Sequence, residues 1–142
     1  LFLYEMQPVD LKDGLVSSLQ HRLAAVEGRA DIKARMISDE NIQLEKDNEI
    51  ALYYIAQEAL NNILRHAHAM NVSVNLGQTR QNVILEITDD GQGFDIKKID
   101  NSGLGLRNMK ERAVQANGKC RITSKIGTGT KIVVSVARKS SL

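Results

Sequence analysis

Glu58-Ala59-Leu60-Asn61-Asn62-Ile63-Leu64-Arg65-His66 is the stretch on which the reading turns. It sits in a run from Glu49 to Met70 that contains neither Gly nor Pro, and its spacing predicts a long helix. At about 100° per residue, Glu58, Asn62 and His66 fall within a sector of about 80°, with Leu52, Ala56, Leu60, Ile63 and Ala67 opposite. The apolar side suits a sheet, which leaves an acid, an amide and an imidazole to face a cavity or solvent. Asn is a poor helix-interior residue because its amide competes for backbone hydrogen bonds. Two in succession point to a role other than helix stability. An Asn carbonyl is a hard oxygen ligand suited to Mg²⁺, which takes few protein ligands beside water and phosphate. Glu58, one turn away, can orient or deprotonate a water or an attacking group. A solvated face on an amphipathic helix carries the same pattern, so the helix alone leaves both readings open.

Around it the chain alternates helix-like and strand-like segments. Leu11, Leu15, Leu19, Leu23 and Val26 have helical spacing, with Pro8 and Asp10 suited to the start of that helix and Gly28 to its end. A short strand is expected over Ile32–Ile37 and a connection over Ser38–Asn48. Val72–Leu76 and Val83–Ile87 alternate in period two, and the residues between them suit a hairpin. A helix is expected from about Leu106 to Ala116, followed by strands at Lys119–Ser124 and Lys131–Ala137. This mixture predicts an α+β fold, a two-layer α/β sandwich with a mixed, mostly antiparallel sheet covered on one face by helices.

Bulk properties set the class. With 142 residues, 42% apolar and 25% charged, the chain has the composition of one ordinary globular domain. A net charge of +2 with basic residues scattered beside acids leaves no nucleic-acid footprint. A single cysteine, Cys120, cannot form an internal disulfide and favours a reducing, cytoplasmic setting. No apolar run approaches the ~20 residues a transmembrane helix needs, so no direct membrane contact is expected of this segment. The opening Leu1-Phe2-Leu3-Tyr4 reads as a cut from a longer protein, which leaves open a parent that is a membrane-bound sensor with this segment on its cytoplasmic side.

Two glycine loops add chemistry. Asp89-Asp90-Gly91-Gln92-Gly93-Phe94 follows a strand. A carboxylate there can accept a hydrogen bond from an exocyclic amine such as adenine N6, while the glycines let a ring approach the backbone. Asp and Gly are also common turn residues. Gly103-Leu104-Gly105-Leu106 opens the next helix, where backbone N–H groups and the positive helix end favour phosphates. A glycine-rich cap has the same look. No Gly-Lys-Ser/Thr follows, so it is not a P-loop. Gly127-Thr128-Gly129-Thr130 is either a hairpin turn or a source of a hydroxyl near a base.

Taken in order, Glu-x-x-x-Asn on a helix, Asp-x-Gly-x-Gly after a hairpin, Gly-x-Gly-Leu before a helix and Gly-Thr before a last strand resemble the N, G1 and G2 boxes and terminal Gly-Thr of the histidine-kinase-type ATPase domain in the GHKL superfamily. The resemblance covers roughly Ile32 to Ala137. Gln57-Glu58-Ala59-Leu60-Asn61-Asn62 with Arg65-His66-Ala67 is similar to the sensor-kinase subgroup of nitrate sensors and the desaturase thermosensor. Pro8-Val9-Asp10-Leu11 with Gly14-Leu15 resembles that subgroup's join between dimerisation helices and ATPase domain. Residues 1–28 are accordingly expected to be linker and first helix, and 29–142 the ATP-binding catalytic domain.

The resemblance implies ATP and Mg²⁺ as ligands, with the metal on Asn62 and a general-base or polarising role for Glu58. It implies Asp89 at adenine N6, Gly91 and Gly93 against the base, and Thr130 beside the adenine network. Gly103, Leu104, Gly105 and Leu106 would belong to a lid over the triphosphate, spanning the polar run Asp95–Ser102, with Arg65 or His66 on phosphate. It further implies transfer of the γ-phosphoryl to a histidine on a separate dimerisation domain, and thence to a response regulator receiver domain. His21 is followed by Arg22 rather than an acid, so the phosphoacceptor is expected outside this chain. A nucleotide-binding switch module, or another GHKL ATPase without histidine transfer, is the alternative.

Overall fold

The computed structural model describes residues 11–98 and 105–140, the side chains of 29 and 30 excepted. The chain begins with α1 (Gly14–Ala30) and β1 (Lys33–Ser38), then α2 (Lys46–Asn62), which runs into a π-helical turn (Ile63–Ala67). A hairpin of β2 (Asn71–Gln78) and β3 (Asn82–Asp89) follows, then α3 (Leu106–Gln115), β4 (Lys119–Lys125) and β5 (Gly129–Ala137).

The strands form one sheet in the order β1-β2-β3-β5-β4. β1 pairs with β2 in parallel, and every other pairing is antiparallel. Period-two alternation sends Val72, Val74 and Leu76 of β2, Val83, Leu85 and Ile87 of β3, and Ile132, Val134 and Val136 of β5 to one buried face. The three helices cover that face. Leu15, Leu19, Leu23 and Val26 of α1 join Leu52, Ile55 and Leu60 of α2 and Met109 and Ala113 of α3 in the same core as the strands. The expected α+β two-layer sandwich is the fold observed.

Helix ends are where the periodicity misleads. α1 starts at Gly14 rather than Leu11 and runs through Gly28, stopping where Asp31 takes a left-handed conformation (φ 49). Pro8 and Asp10 lie outside the described residues. The expected long helix to Met70 is instead α2 plus the π-turn, closed by His68 in the left-handed region (φ 51). Met70 lies just ahead of β2, its carbonyl accepting the Lys33 N–H at the start of β1 at 2.9 Å. α2 also begins earlier than expected, at Lys46, with Asp47 and Glu49 in its first turn, where negative charge complements the helix dipole.

Leu52 is fully buried between α2 and the sheet. Leu52→Ala is expected to cost about 2–5 kcal/mol, whereas Val114→Ala on the exposed face of α3 should stay within about 0.5 kcal/mol. Chemical denaturation midpoints check both.

Candidate functional site

The inward stripe of β3 does not end in a hydrophobe. Val83, Leu85 and Ile87 are followed, two residues on, by Asp89, which is only 6% exposed and is the one buried charged side chain among the described residues. Its Oδ1 accepts the Gly91 N–H at 2.8 Å, and the backbone N–H of Thr130, its cross-strand partner, also serves the carboxylate. Burial nevertheless dominates and holds the Asp89 carboxyl above its ordinary range, helped by the neighbouring Asp90 charge and opposed by the two backbone hydrogen bonds. Asp90 faces the other way. Its Oδ1 accepts the Met70 and Asn71 N–H groups at 2.9 and 2.8 Å and its Oδ2 accepts Asn71 Nδ2 at 2.8 Å, which keeps its pKa low.

Asp89 opens into a cavity of about 240 Å³. Ile63, Ala67, Ile87, Phe94, Leu106 and Ile132 give it apolar walls, and Asn62, His66, Gln92 and Thr130 add polar groups. An apolar slot with one carboxylate suits a flat heteroaromatic ring that offers an amino hydrogen.

The loop after β3 is tied to the π-turn. The Gln92 N–H donates to the Ala67 carbonyl at 2.6 Å, its side-chain amide donates to the His66 carbonyl, and its own carbonyl accepts the Gly127 N–H at 2.7 Å. Gly91 lies so close to this turn that a Cβ would overlap the Ala67 carbonyl. Thus Gly91 is required by the chain's own packing, and it does not line the cavity, while Gly93 does.

The polar residues of α2 divide into two groups. Asn62 and His66 line the cavity with Ala59, Ile63 and Ala67. On a helical projection that set is centred about 100° from Glu58, so the cavity lies on the flank between the polar and apolar sectors. Glu58 and Arg65 instead line a second, wider groove of about 710 Å³ between the three helices, where Arg112 stacks on the Tyr54 ring at 4.3 Å. The expectation of Glu58, Asn62 and His66 facing one space is corrected accordingly. Glu58 keeps a link to the other loop. Gly105 (φ 67) packs on its carboxylate so closely that a Cβ would overlap Oε1. Leu106 lines the cavity, whereas Gly103 and Leu104 lie outside the described residues.

Sequence reasoning missed Gln92, Phe94, Ser124 and the apolar wall. Ile87 and Ile132 could have been found, since they share strand parity with Asp89 and Thr130. Cys120 is half-buried and its thiol is pushed up to about 11 by burial, so it is inert at neutral pH.

Residues 47–140 match the family described as histidine kinase-, DNA gyrase B- and HSP90-like ATPase. The chain belongs to this ATPase family. Among proteins similar to this ATPase domain, the signal transduction histidine-protein kinase/phosphatase DegS of Bacillus subtilis is 38% identical over 138 residues, covering 92% of this chain and 36% of that protein. The sensor histidine kinase LiaS of the same species is 36% identical, covering 89% and 34%. The chain therefore spans about a third of the length of the curated relatives it matches. A histidine kinase domain from the blue-light activated histidine kinase of Erythrobacter litoralis superposes with a TM-score of 0.70 at 21% identity, covering 92% of this chain and 64% of that one. Histidine kinase AdeS of Acinetobacter baumannii gives 0.72 at 16%, covering 89% and 64%. These two share the fold.

The donor set tests the metal that the ATPase family implies. Among the described residues no three His, Cys, Asp or Glu side chains converge as a metal cage. Asn62 at the cavity wall supplies one hard oxygen, which fits Mg²⁺ arriving with a triphosphate and keeping water and phosphate as its other ligands.

The two aspartates should respond oppositely to neutralisation. A raised folded pKa means Asp89 costs stability once pH exceeds its ordinary value of 3.8, with the cost complete above the folded pKa. Asp89→Asn is therefore expected to raise the thermal midpoint of the ligand-free chain at pH 7, with the gain vanishing in acid. Asp90, with a lowered pKa, stabilises the fold above 3.8 and loses that contribution as pH falls. Asp90→Asn should lower the midpoint at pH 7. Thermal unfolding across a pH series reads both.

Proposed function

We propose that this chain binds ATP as its Mg²⁺ complex and is the catalytic domain of a sensor histidine kinase, donating the γ-phosphoryl to a histidine on the dimerisation domain of its parent. The carrying observation is the buried, backbone-tethered Asp89 carboxylate at an apolar cavity. Family membership and relatives named as histidine kinases support the reading.

In this reading adenine enters the slot among Ile63, Ile87, Phe94 and Ile132 and gives an amino hydrogen to Asp89. The phosphates then run along the α2 flank past Asn62 and His66 toward Gly105 and the start of α3, where N–H groups and the helix dipole favour anions. Asn62 would hold Mg²⁺, which when bound neutralises phosphate charge. Glu58 lies where the cavity side meets the groove between the helices, placed to orient an incoming imidazole or hold its proton. Little covalent chemistry is asked of the protein, because phosphoryl transfer depends on positioning and charge neutralisation. A response regulator receiver domain then takes the phosphoryl group from the histidine. A cytoplasmic setting belongs to the same proposal; no helix among the described residues is long and apolar enough to cross a membrane.

Calorimetric titration tests binding. Mg-ATP should bind in the micromolar range, on the order of −7 to −8 kcal/mol. Asn62→Ala is expected to bind ATP with little dependence on Mg²⁺, and Asp89→Asn to lose at least about tenfold. Folded wild type that ignores both ATP and ADP would refute the nucleotide reading. In a second experiment, a histidine-bearing dimerisation domain from the parent is added with labelled ATP. Labelled histidine supports the kinase; tight binding without transfer favours a regulatory nucleotide switch.

A further inference from the structure

The helices all pack on one side of the sheet and leave the other side open. The outward stripe, opposite in parity to the core, carries Lys33 and Arg35 on β1, Lys131 on β5, and Lys119, Arg121 and Lys125 on β4, all exposed. Glu86 is the one acid of the strands on that side, and it is paired with Lys131 at 3.1 Å. The whole chain nearly balances 19 basic against 17 acidic residues, so positive charge is concentrated on this face. Between its two basic edges lie Ser73, Asn75, Thr88 and Ser135, small and partly covered.

Two apolar side chains stand at the rim of this face. Ile126, 75% exposed, follows Lys125 in the turn between β4 and β5. Met70, 73% exposed, is bonded to Lys33 through its carbonyl. The register puts both at one end of the sheet, because Lys33 pairs with Asn71, Val72 with Asp89, Asp89 with Thr130, and Lys125 with Gly129. The width of five strands, about 19 Å, separates them. The Ile126 turn is held in place: the Gly127 N–H donates to the Gln92 carbonyl at 2.7 Å and the Thr128 N–H to the Lys125 carbonyl at 3.1 Å. A protein interface sets apolar anchors at its centre and charges at its rim; here the order is reversed. Single-stranded nucleic acid stacks on aromatic rings, and the outward stripe has none. Apolar tips beside cations, around a flat polar middle, match a lipid surface.

We propose that the open face of the sheet docks on an anionic lipid bilayer, with Ile126 and Met70 entering the headgroup layer and the cations of β1, β4 and β5 meeting the headgroups. The inference is independent of the nucleotide reading. An apolar-run criterion detects only segments that span a bilayer, so a contact of this kind escapes it, and it needs no spanning helix. Docked in this way, the domain turns its helical layer, with the groove between the three helices, away from the membrane.

Vesicle co-sedimentation of the whole chain reads the contact. Vesicles of phosphatidylcholine alone are compared, at low salt, with vesicles that also contain phosphatidylglycerol. Binding to the anionic vesicles should exceed binding to the neutral ones at least about tenfold and should fall as salt is raised. A triple variant, Lys119→Gln, Arg121→Gln and Lys125→Gln, should bind anionic vesicles no better than neutral ones. A control triple of equal charge on the helical side, Lys12→Gln, Lys46→Gln and Lys110→Gln, should stay within about twofold of wild type. All six side chains are exposed, so both triples should keep the fold. The natural sequence has no tryptophan, so Ile126→Trp introduces a single indole. Its emission should shift to the blue on anionic vesicles and become shielded from an aqueous quencher. Absence of binding to anionic vesicles at low salt would overturn the inference, as would equal loss in the two triples. An indole that stays in water while the chain sediments would overturn it too. Capture by immobilised polyglutamate, with no capture by vesicles, would replace the lipid with an acidic protein.

Discussion

A carboxylate held against the apolar interior is the constraint that organises this molecule. Asp89 continues a stripe of core residues, Val83, Leu85 and Ile87, into a position where a hydrophobe would be cheaper. Two backbone N–H groups stabilise the charge, yet burial still prevails in its pKa. Much of the surrounding architecture follows from that placement. The antiparallel pairing of β3 with β5 brings the Thr130 N–H to it, and the turn to Gly91 brings the second donor. Gln92 and Ser124 then lock that turn to the π-helical segment and to the last hairpin. A buried carboxylate whose charge is disfavoured by burial and which opens into a cavity is one that a ligand donor would stabilise further.

The π-turn is the second organising feature. An ordinary helix through Asn62 to His66 would advance about 400° over four residues. Widening over Ile63–Ala67 changes that phase and ends the helix at His68, so that Asn62, Ile63, His66 and Ala67 all face the cavity. Single π-turns commonly occur at functional sites. Glu58, one turn earlier in regular α-helix, is left on the side of the groove between the helices. The separation places the Asn62 amide and the Glu58 carboxylate on adjoining spaces rather than in one.

Most of the fold was legible because its signals are local and periodic. The stripes of β2, β3 and β5 alternate without interruption, and α2 has helical spacing over its whole length. Helix ends were read less well. Gly28 lies inside α1, where tertiary packing outweighs its poor propensity, and Asp31 and His68 rather than glycines take the left-handed caps. Within the candidate site, residue types and their order were visible, but the side they face was not. A projection at about 100° per residue put Glu58 with Asn62 because it could not foresee a cavity on the helix flank, which takes in Asn62 and leaves Glu58 to the groove. Gln92 and Ser124 act through bonds to residues far away in sequence, and no spacing rule exposes them. One parity signal was available and carries much. Asp89 falls in register with buried residues and Asp90 does not, which separates the cavity-facing aspartate from the one that fastens β2.

The central claim is that Asp89, with the two N–H groups that serve it, meets the base of a nucleotide. The most direct test follows the backbone amide resonances of Gly91 and Thr130 during titration of the ¹⁵N-labelled chain with ADP and, separately, GDP. The account predicts that ADP shifts both amides in a saturable way together with those of Gly93 and Phe94, and that GDP leaves them in place. Saturable shifts confined to the groove of Arg22, Tyr54 and Arg112, with Gly91 and Thr130 unmoved by ADP, would contradict it.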